Sequence, residues 1–234
     1  MIRLEYYSDR GGYNGTSRVK GYREKNEDTI GCFKVSGVEL GEQPVYVLVV
    51  CDGMGGGVRG KYASSLTVQS IRSAVESIEN KGSASTWLEA IAEVVSQGIY
   101  RAHARLCEEF ANVKGTSATT CTVGIVQGSQ FLTLQVGDSR LYVLNQRGLI
   151  LQTEDDSWAF NQLKEGTMTE AEIKKHPNRH KITKAVGVSR GFRLQQSSLL
   201  ELKVGEGILL TSDGFSEFLT KEKAKLIWSK DNQL

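Results

Sequence analysis

The run Val45-Tyr46-Val47-Leu48-Val49-Val50-Cys51-Asp52-Gly53-Met54-Gly55-Gly56-Gly57 decides how the rest of the chain is read. Val45 to Cys51 is uninterruptedly β-branched and apolar, as in a strand buried on both faces, and it stops at a carboxylate followed by glycines. Four glycines so close to a buried strand are needed where backbone must approach something closely. A phosphate-binding loop is the natural rival. The stretch lacks the Gly-Lys-Ser/Thr ending of a P-loop, and in the dinucleotide fingerprint no Asp intervenes between strand and glycines. Gly207 to Ser212 repeats the plan, ending at Asp213-Gly214.

Outward from this strand, the apolar residues Ala63, Leu66, Ile71, Ala74, Val75 and Ile78 recur at three- and four-residue intervals between Lys61 and Asn80. Trp87, Leu88, Ile91, Val94, Val95, Ala102 and Leu106 do the same, so two amphipathic helices are predicted in succession. Thr119 to Val126, Phe131 to Val136, Leu141 to Leu144 and Leu149 to Thr153, with a turn at Asn145 to Gly148, predict an antiparallel meander. Strands, a helix pair and more strands make an α+β domain with helices on sheet faces. Asp155 to Lys184 is charged and weakly periodic around a short helical piece, Thr169 to Lys175. It is expected to be a long, mobile surface segment of the functional kind.

Composition supports one globular unit, residues 1–234. The chain is 39% apolar and 24% charged, with prolines only at 44 and 177, so no Pro-rich linker divides it. A net charge of +2 and short basic clusters such as Lys174-Lys175-His176 give no footprint for nucleic acid. Cys32, Cys51, Cys107 and Cys121 show no Cys-x-x-Cys spacing, and Cys51 and Cys121 fall in apolar runs; they read as reduced core residues of a cytoplasmic protein. Met1 to Arg10 lacks the apolar stretch of a signal peptide, and no segment approaches a membrane span, so no membrane partner is expected.

Acidic residues stand repeatedly where strands end: Glu27-Asp28 before Thr29 to Val35, then Asp52, Asp138 after Val136-Gly137, and Asp213. Strand ends converge on one rim of a sheet. Hard cations such as Mg²⁺ and Mn²⁺ take carboxylate, carbonyl and water oxygens, and two together clamp a transferring phosphoryl group. Each Asp-Gly alone is an ordinary turn dipeptide. Their ordered recurrence is what carries weight.

Five ordered segments make the chain resemble the protein phosphatase 2C (PPM) family, in its bacterial form. They are Arg23-Glu-Lys-Asn26-Glu27-Asp28, Val50-Cys-Asp52-Gly53-Met54-Gly55-Gly56, Gly115-Thr116-Ser-Ala-Thr119-Thr120, Val136-Gly137-Asp138-Ser139-Arg140 and Thr211-Ser212-Asp213-Gly214-Phe-Ser-Glu217. His176 to Gly187 also resembles the stretch after that family's flap, here about residues 155–184. The resemblance implies two antiparallel sheets sandwiched between helices (α-β-β-α). It implies a metal-dependent protein Ser/Thr phosphatase holding two Mn²⁺ or Mg²⁺ ions, with a third. Asp52 resembles the carboxylate that bridges the two metals, with the Gly53 carbonyl as a further ligand; Asp213 would bind the second ion, Glu27 a metal-bound water, and Asp28 would support the site. Asp138 resembles the ligand of the third ion, and Arg23 would grip the phosphate with its planar fork. The implied mechanism is attack by a metal-bridging hydroxide without a phosphoenzyme, so no cysteine nucleophile is needed. Partners would be phosphoproteins, those of a cognate Ser/Thr kinase.

Departures from the family pattern matter too. Met54 stands where many eukaryotic members have a His assigned as the acid for the leaving group. Asp231-Asn232 follows Asp213 by only 18 residues, with no strand after it. Asp231 is therefore read as a chance residue after a helix Lys221 to Trp228, and the sandwich as incomplete at the carboxyl end. His103 is expected to be exposed on its helix, His176 and His180 to flank the flap, and Arg140 to pair within its own turn. Two alternatives differ in class: a catalytically weak pseudophosphatase or regulatory module of the same fold, and a Mg²⁺-dependent enzyme for nucleotides or small phosphate esters.

Overall fold

In the computed structural model, which describes residues 26–35, 43–56, 58–78, 87–188 and 192–231, the decisive run forms strand β2 (Val45–Cys51). Its two faces differ. Val45, Val47, Val49 and Cys51 are fully buried against helices, while Leu48 on the other face packs against the residues between two sheets. Strand β1 (Thr29–Lys34) pairs antiparallel with one edge of β2, and β5 (Cys121–Gln127) with the other. β6 (Gln130–Val136) follows β5, and two short strands, β9 (Gln195–Gln196) and β10 (Leu200–Glu201), pair with β6. The second sheet has the order β11 (Gly207–Thr211), β7 (Arg140–Asn145), β8 (Gly148–Leu151). A third, minimal ladder joins β3 (Gly53–Met54) to β4 (Ala118–Thr119).

Helices α1 (Val58–Glu76) and α2 (Trp87–Glu109) lie side by side over the first sheet, burying Ala63, Leu66, Ile71, Val75, Ile91, Val95, Ile99 and Leu106 against it. Each large aliphatic side chain so buried contributes about 1.5–3 kcal/mol. Gly98 permits the close approach of the pair, since a Cβ there would stand 2.9 Å from the Ser70 carbonyl oxygen. Between the sheets Val126 and Phe131 meet Leu141 and Val143. Helix α6 (Lys221–Asp231) covers β7 and β8. The layers are therefore helix, sheet, sheet, helix, as the resemblance implied. Among the described residues, no helix is long and apolar enough to cross a membrane.

The predicted meander is two hairpins in different sheets. β5–β6 belongs to the first sheet and β7–β8 to the second, and β6 does not pair with β7. The chain changes sheet at Gly137–Asp138–Ser139, where Gly137 takes φ +101° and a Cβ would stand 2.7 Å from Thr120. Residue alternation marks strands but not which sheet they join, and only this turn decides it. The flap also holds more structure than its periodicity suggested: α3 (Trp158–Lys164) precedes α4 (Glu170–Ile173). Ser157 caps α3 by accepting from the Phe160 N–H, and Thr169 with Glu172 forms a capping box on α4. A last short helix, α5 (Asp213–Ser216), follows β11 directly.

Candidate active site

Asp52 leaves β2 into a web of backbone and hydroxyl contacts. Its N–H donates to Thr120 Oγ1 (2.9 Å), and its carbonyl accepts from the Thr120 N–H (2.9 Å) and Thr119 Oγ1 (2.9 Å). The same Thr120 hydroxyl lies 2.7 Å from Ser139 Oγ, while Thr122 Oγ1 donates to the Ser139 carbonyl (2.7 Å) and Gln135 Nε2 to the carbonyls of Gly137 and Ser139 (3.1 Å each). Strand β5 and its approach thus fix Asp52 and the Asp138 turn relative to one another. The motif Gly115 to Thr120 carried this signal in the sequence, but the roles of its two threonines were not readable there.

Asp213 opens α5 at the end of β11, and Asp28 stands just before β1. Ser212, at the cap position of α5, makes no capping bond; its hydroxyl pairs with Asp28 Oδ2 at 3.0 Å. Three acidic side chains from distant parts of the chain come together here, with Asp52 within electrostatic reach of both Asp28 and Asp213. Burial, reinforced by the charges of Asp28 and Asp213, pushes the Asp52 carboxyl up to about 9. Burial also raises Asp28, against the pull of Ser212, and pushes Asp138 up to about 7, with Asp213 and Asp155 adding repulsion. Asp138 Oδ1 is buried with no hydrogen-bond partner among the described residues.

Glu27 is buried beside the first turn of α1: a Cβ on Gly60 would collide with its carboxylate, and a Cβ on Gly53 would stand 2.7 Å from its carbonyl oxygen. Gly53 and Gly60 are thus a matched contact without side chains between the aspartate loop and α1. Arg23 lies outside the described residues. Among those described, no three carboxylate, imidazole or thiol groups form a ready metal cage; Asp28, Asp52 and Asp213 act on one another electrostatically. The donor chemistry nevertheless fits hard cations. Buried acidic groups shifted upward, an unpartnered buried carboxylate oxygen and close-packed glycine backbone at Gly53 and Gly60 are what such ions satisfy.

Neighbouring residues correct three sequence expectations. Arg140 does not pair within its own turn: its guanidinium grips Asp155 bidentately, Nε to Oδ1 at 2.9 Å and Nη2 to Oδ2 at 2.6 Å, tying the Asp138 turn to the start of the flap. His103 is not exposed; it stacks on Phe192 at 3.9 Å and its Nδ1 accepts from the Gly187 N–H. Helix periodicity could not reveal a partner 84 residues away. Cys32 is exposed on β1, unlike the buried Cys51 and Cys121. His176 stacks on Trp158, and His180 pairs with Glu217 at 3.2 Å. A cavity of about 150 Å³ opens beside the aspartates, lined by Asp138, Asp213 and Glu217 on one side and by Phe160, Leu163 and Arg179 of the flap on the other.

Comparison with known proteins points the same way. The sequence profile described as Protein phosphatase 2C matches residues 24–230. The Serine/threonine phosphatase stp of Listeria monocytogenes is 27% identical over 233 residues, spanning 98% of this chain and 84% of that protein. The Serine/threonine protein phosphatase PstP of Mycobacterium tuberculosis is 28% identical over 201 residues, 86% of this chain and 35% of the relative. The solved structure of Stp1 from Staphylococcus aureus superposes with a TM-score of 0.70 at 26% identity, covering 98% of this chain and 92% of that one. With the profile spanning most of its length and the layered sandwich in place, the chain belongs to the protein phosphatase 2C family of metal-dependent serine/threonine protein phosphatases.

Proposed function

We propose that the chain removes phosphate from phosphoserine and phosphothreonine in proteins at a site where Asp52, the Gly53 carbonyl and Asp213 bind two Mn²⁺ or Mg²⁺ ions. Glu27 and Asp28 support them, and Asp138 serves a third. The observation that carries this reading is the gathering of Asp28, Asp52 and Asp213 within electrostatic reach of one another, with Ser212, next to Asp213, bonded to Asp28 and with burial and the neighbouring charges pushing Asp52 up to about 9. A carboxyl so buried beside two other acidic side chains gives up its proton near neutral pH only when positive charge arrives. When bound, two divalent ions lower the pKa of water and neutralise charge on a phosphoryl group.

The chain's own residues position and exclude. Thr119 and Thr120 hold the backbone of Asp52, and Ser212 orients Asp28. The missing Cβ at Gly53 lets its backbone sit against the carbonyls of Gly60 and Glu27. Arg23 would grip the phosphate oxygens through its planar fork. The flap, moored by Arg140–Asp155 and Lys184–Asp156, would receive the polypeptide around the phosphorylated residue. Burial drives the Cys51 thiol well above its ordinary range, so it supplies no thiolate for a phosphoenzyme route. The substrates would be phosphoproteins made by a cognate Ser/Thr kinase. Hydrolysis of a phosphothreonine peptide should require Mn²⁺ or Mg²⁺ and vanish with chelator. Turnover that persists in chelator would refute the reading.

A further inference from the structure

Residues 27–29, which carry two of the carboxylates, are tied to a single face of α1. Ser64 Oγ donates to the Glu27 carbonyl at 2.6 Å. Lys61 Nζ donates to the Asp28 carbonyl at 2.6 Å and to Thr29 Oγ1 at 2.9 Å. Thr29 Oγ1 in turn lies 2.7 Å from Ser64 Oγ and 3.3 Å from Ser65 Oγ. Positions 61, 64 and 65 share one helix face, so the strand entry is clasped by three side chains of adjacent turns. Lys61 alone among them is charged, and its ammonium is half withdrawn from water within electrostatic reach of Asp28 and Cys51.

Such a placement is costly for a cation site. An ammonium beside the carboxylates repels incoming divalent ions, so on charge alone Lys61 should weaken metal binding. Its hydrogen bonds act in the opposite sense. They fix the peptide between Asp28 and Thr29, and with it the direction in which the Asp28 carboxylate leaves the chain toward Asp52 and Ser212. We propose that Lys61 is a positioning residue of the metal site, whose clasp on the Asp28–Thr29 backbone contributes more to cation affinity than its charge removes. The inference rests on the reading given under Proposed function.

The two effects differ in sign, which makes the test decisive. Calorimetric titration of the full chain with Mn²⁺ should give an affinity about tenfold weaker for Lys61→Met, the scale on which supporting hydrogen bonds act at metal sites. Lys61→Arg, which keeps both charge and donors, should recover most of the loss. Unchanged or tighter binding by Lys61→Met would overturn the proposal, as would an Arg variant no better than Met. If Lys61→Met does not fold, Lys61→Arg against Lys61→Gln gives the same comparison, with Arg expected to bind more tightly. A wild-type chain that binds no Mn²⁺ would refute the site itself and this proposal with it, whereas binding unaffected by residue 61 would remove the Lys61 role alone.

Discussion

Asp52 occupies a position that is unfavourable for folding on its own. Its carboxyl is buried, lies near Asp28 and Asp213 and is pushed up to about 9 from an ordinary 3.8. Between those values the folded chain holds a proton that the unfolded chain releases, so without cations this group's contribution to stability falls as pH rises from about 4 to about 9. Asp28 and Asp138 are shifted in the same direction. Asp52→Asn cannot ionise, so in chelator it should melt higher than wild type at pH 8 and show a flatter decline with pH. The same substitution should remove at least ~100-fold of turnover, on the order of 3 kcal/mol. Melting curves across pH, together with steady-state kinetics, check both; equal turnover would remove Asp52 from the proposed site.

At the scale of elements, the contact that sets the site is between the loop after β2 and the first turn of α1. Gly60 is helical, and Ala would ordinarily stabilise an exposed helix position there by up to about 1 kcal/mol. Here an added Cβ would collide with the Glu27 carboxylate and stand 2.8 Å from the Gly53 carbonyl carbon. Gly60→Ala should therefore destabilise the protein by about 1–3 kcal/mol, the cost of overpacking, and weaken Mn²⁺ binding by displacing both groups. Thermal unfolding and metal titration of this variant would report the two effects separately. A stabilised variant would show that Glu27 and the loop give way freely. Other elements show the same dependence on small contacts: α5 forgoes its own cap so that Ser212 can reach Asp28.

In the whole molecule, β11 runs from the far side of the second sheet to the aspartate cluster, delivering Asp213 at its end. Helix α6 lies on β7 and β8, and Trp228, near its end, approaches Gly207 at the opposite end of β11 from Asp213. The five residues of β11 span about 13–17 Å at strand rise, and Asp231 lies only about 4.5 Å further along the helix than Trp228. Asp231→Ala should accordingly leave Mn²⁺ affinity unchanged. A large loss in a calorimetric titration would show that Asp231 does serve the metal site.

Local pattern alone was enough for the strand Val45–Cys51, the two long helices, the hairpins and the sites of the candidate carboxylates, because apolar periodicity and turn residues act over neighbouring positions. Ordered motifs carried the family. What local pattern could not carry was pairing at a distance. That β6 and β7 separate into different sheets depends on a left-handed Gly137 packed against Thr120. That Arg140 belongs to Asp155, His103 to Gly187 and Ser212 to Asp28 depends on which surfaces the sheets bring together. A side chain's hydrogen-bond partner and its pKa are set by burial and neighbouring charge. Both exist only once Asp28, Asp52 and Asp213, scattered across the sequence, are folded onto one rim.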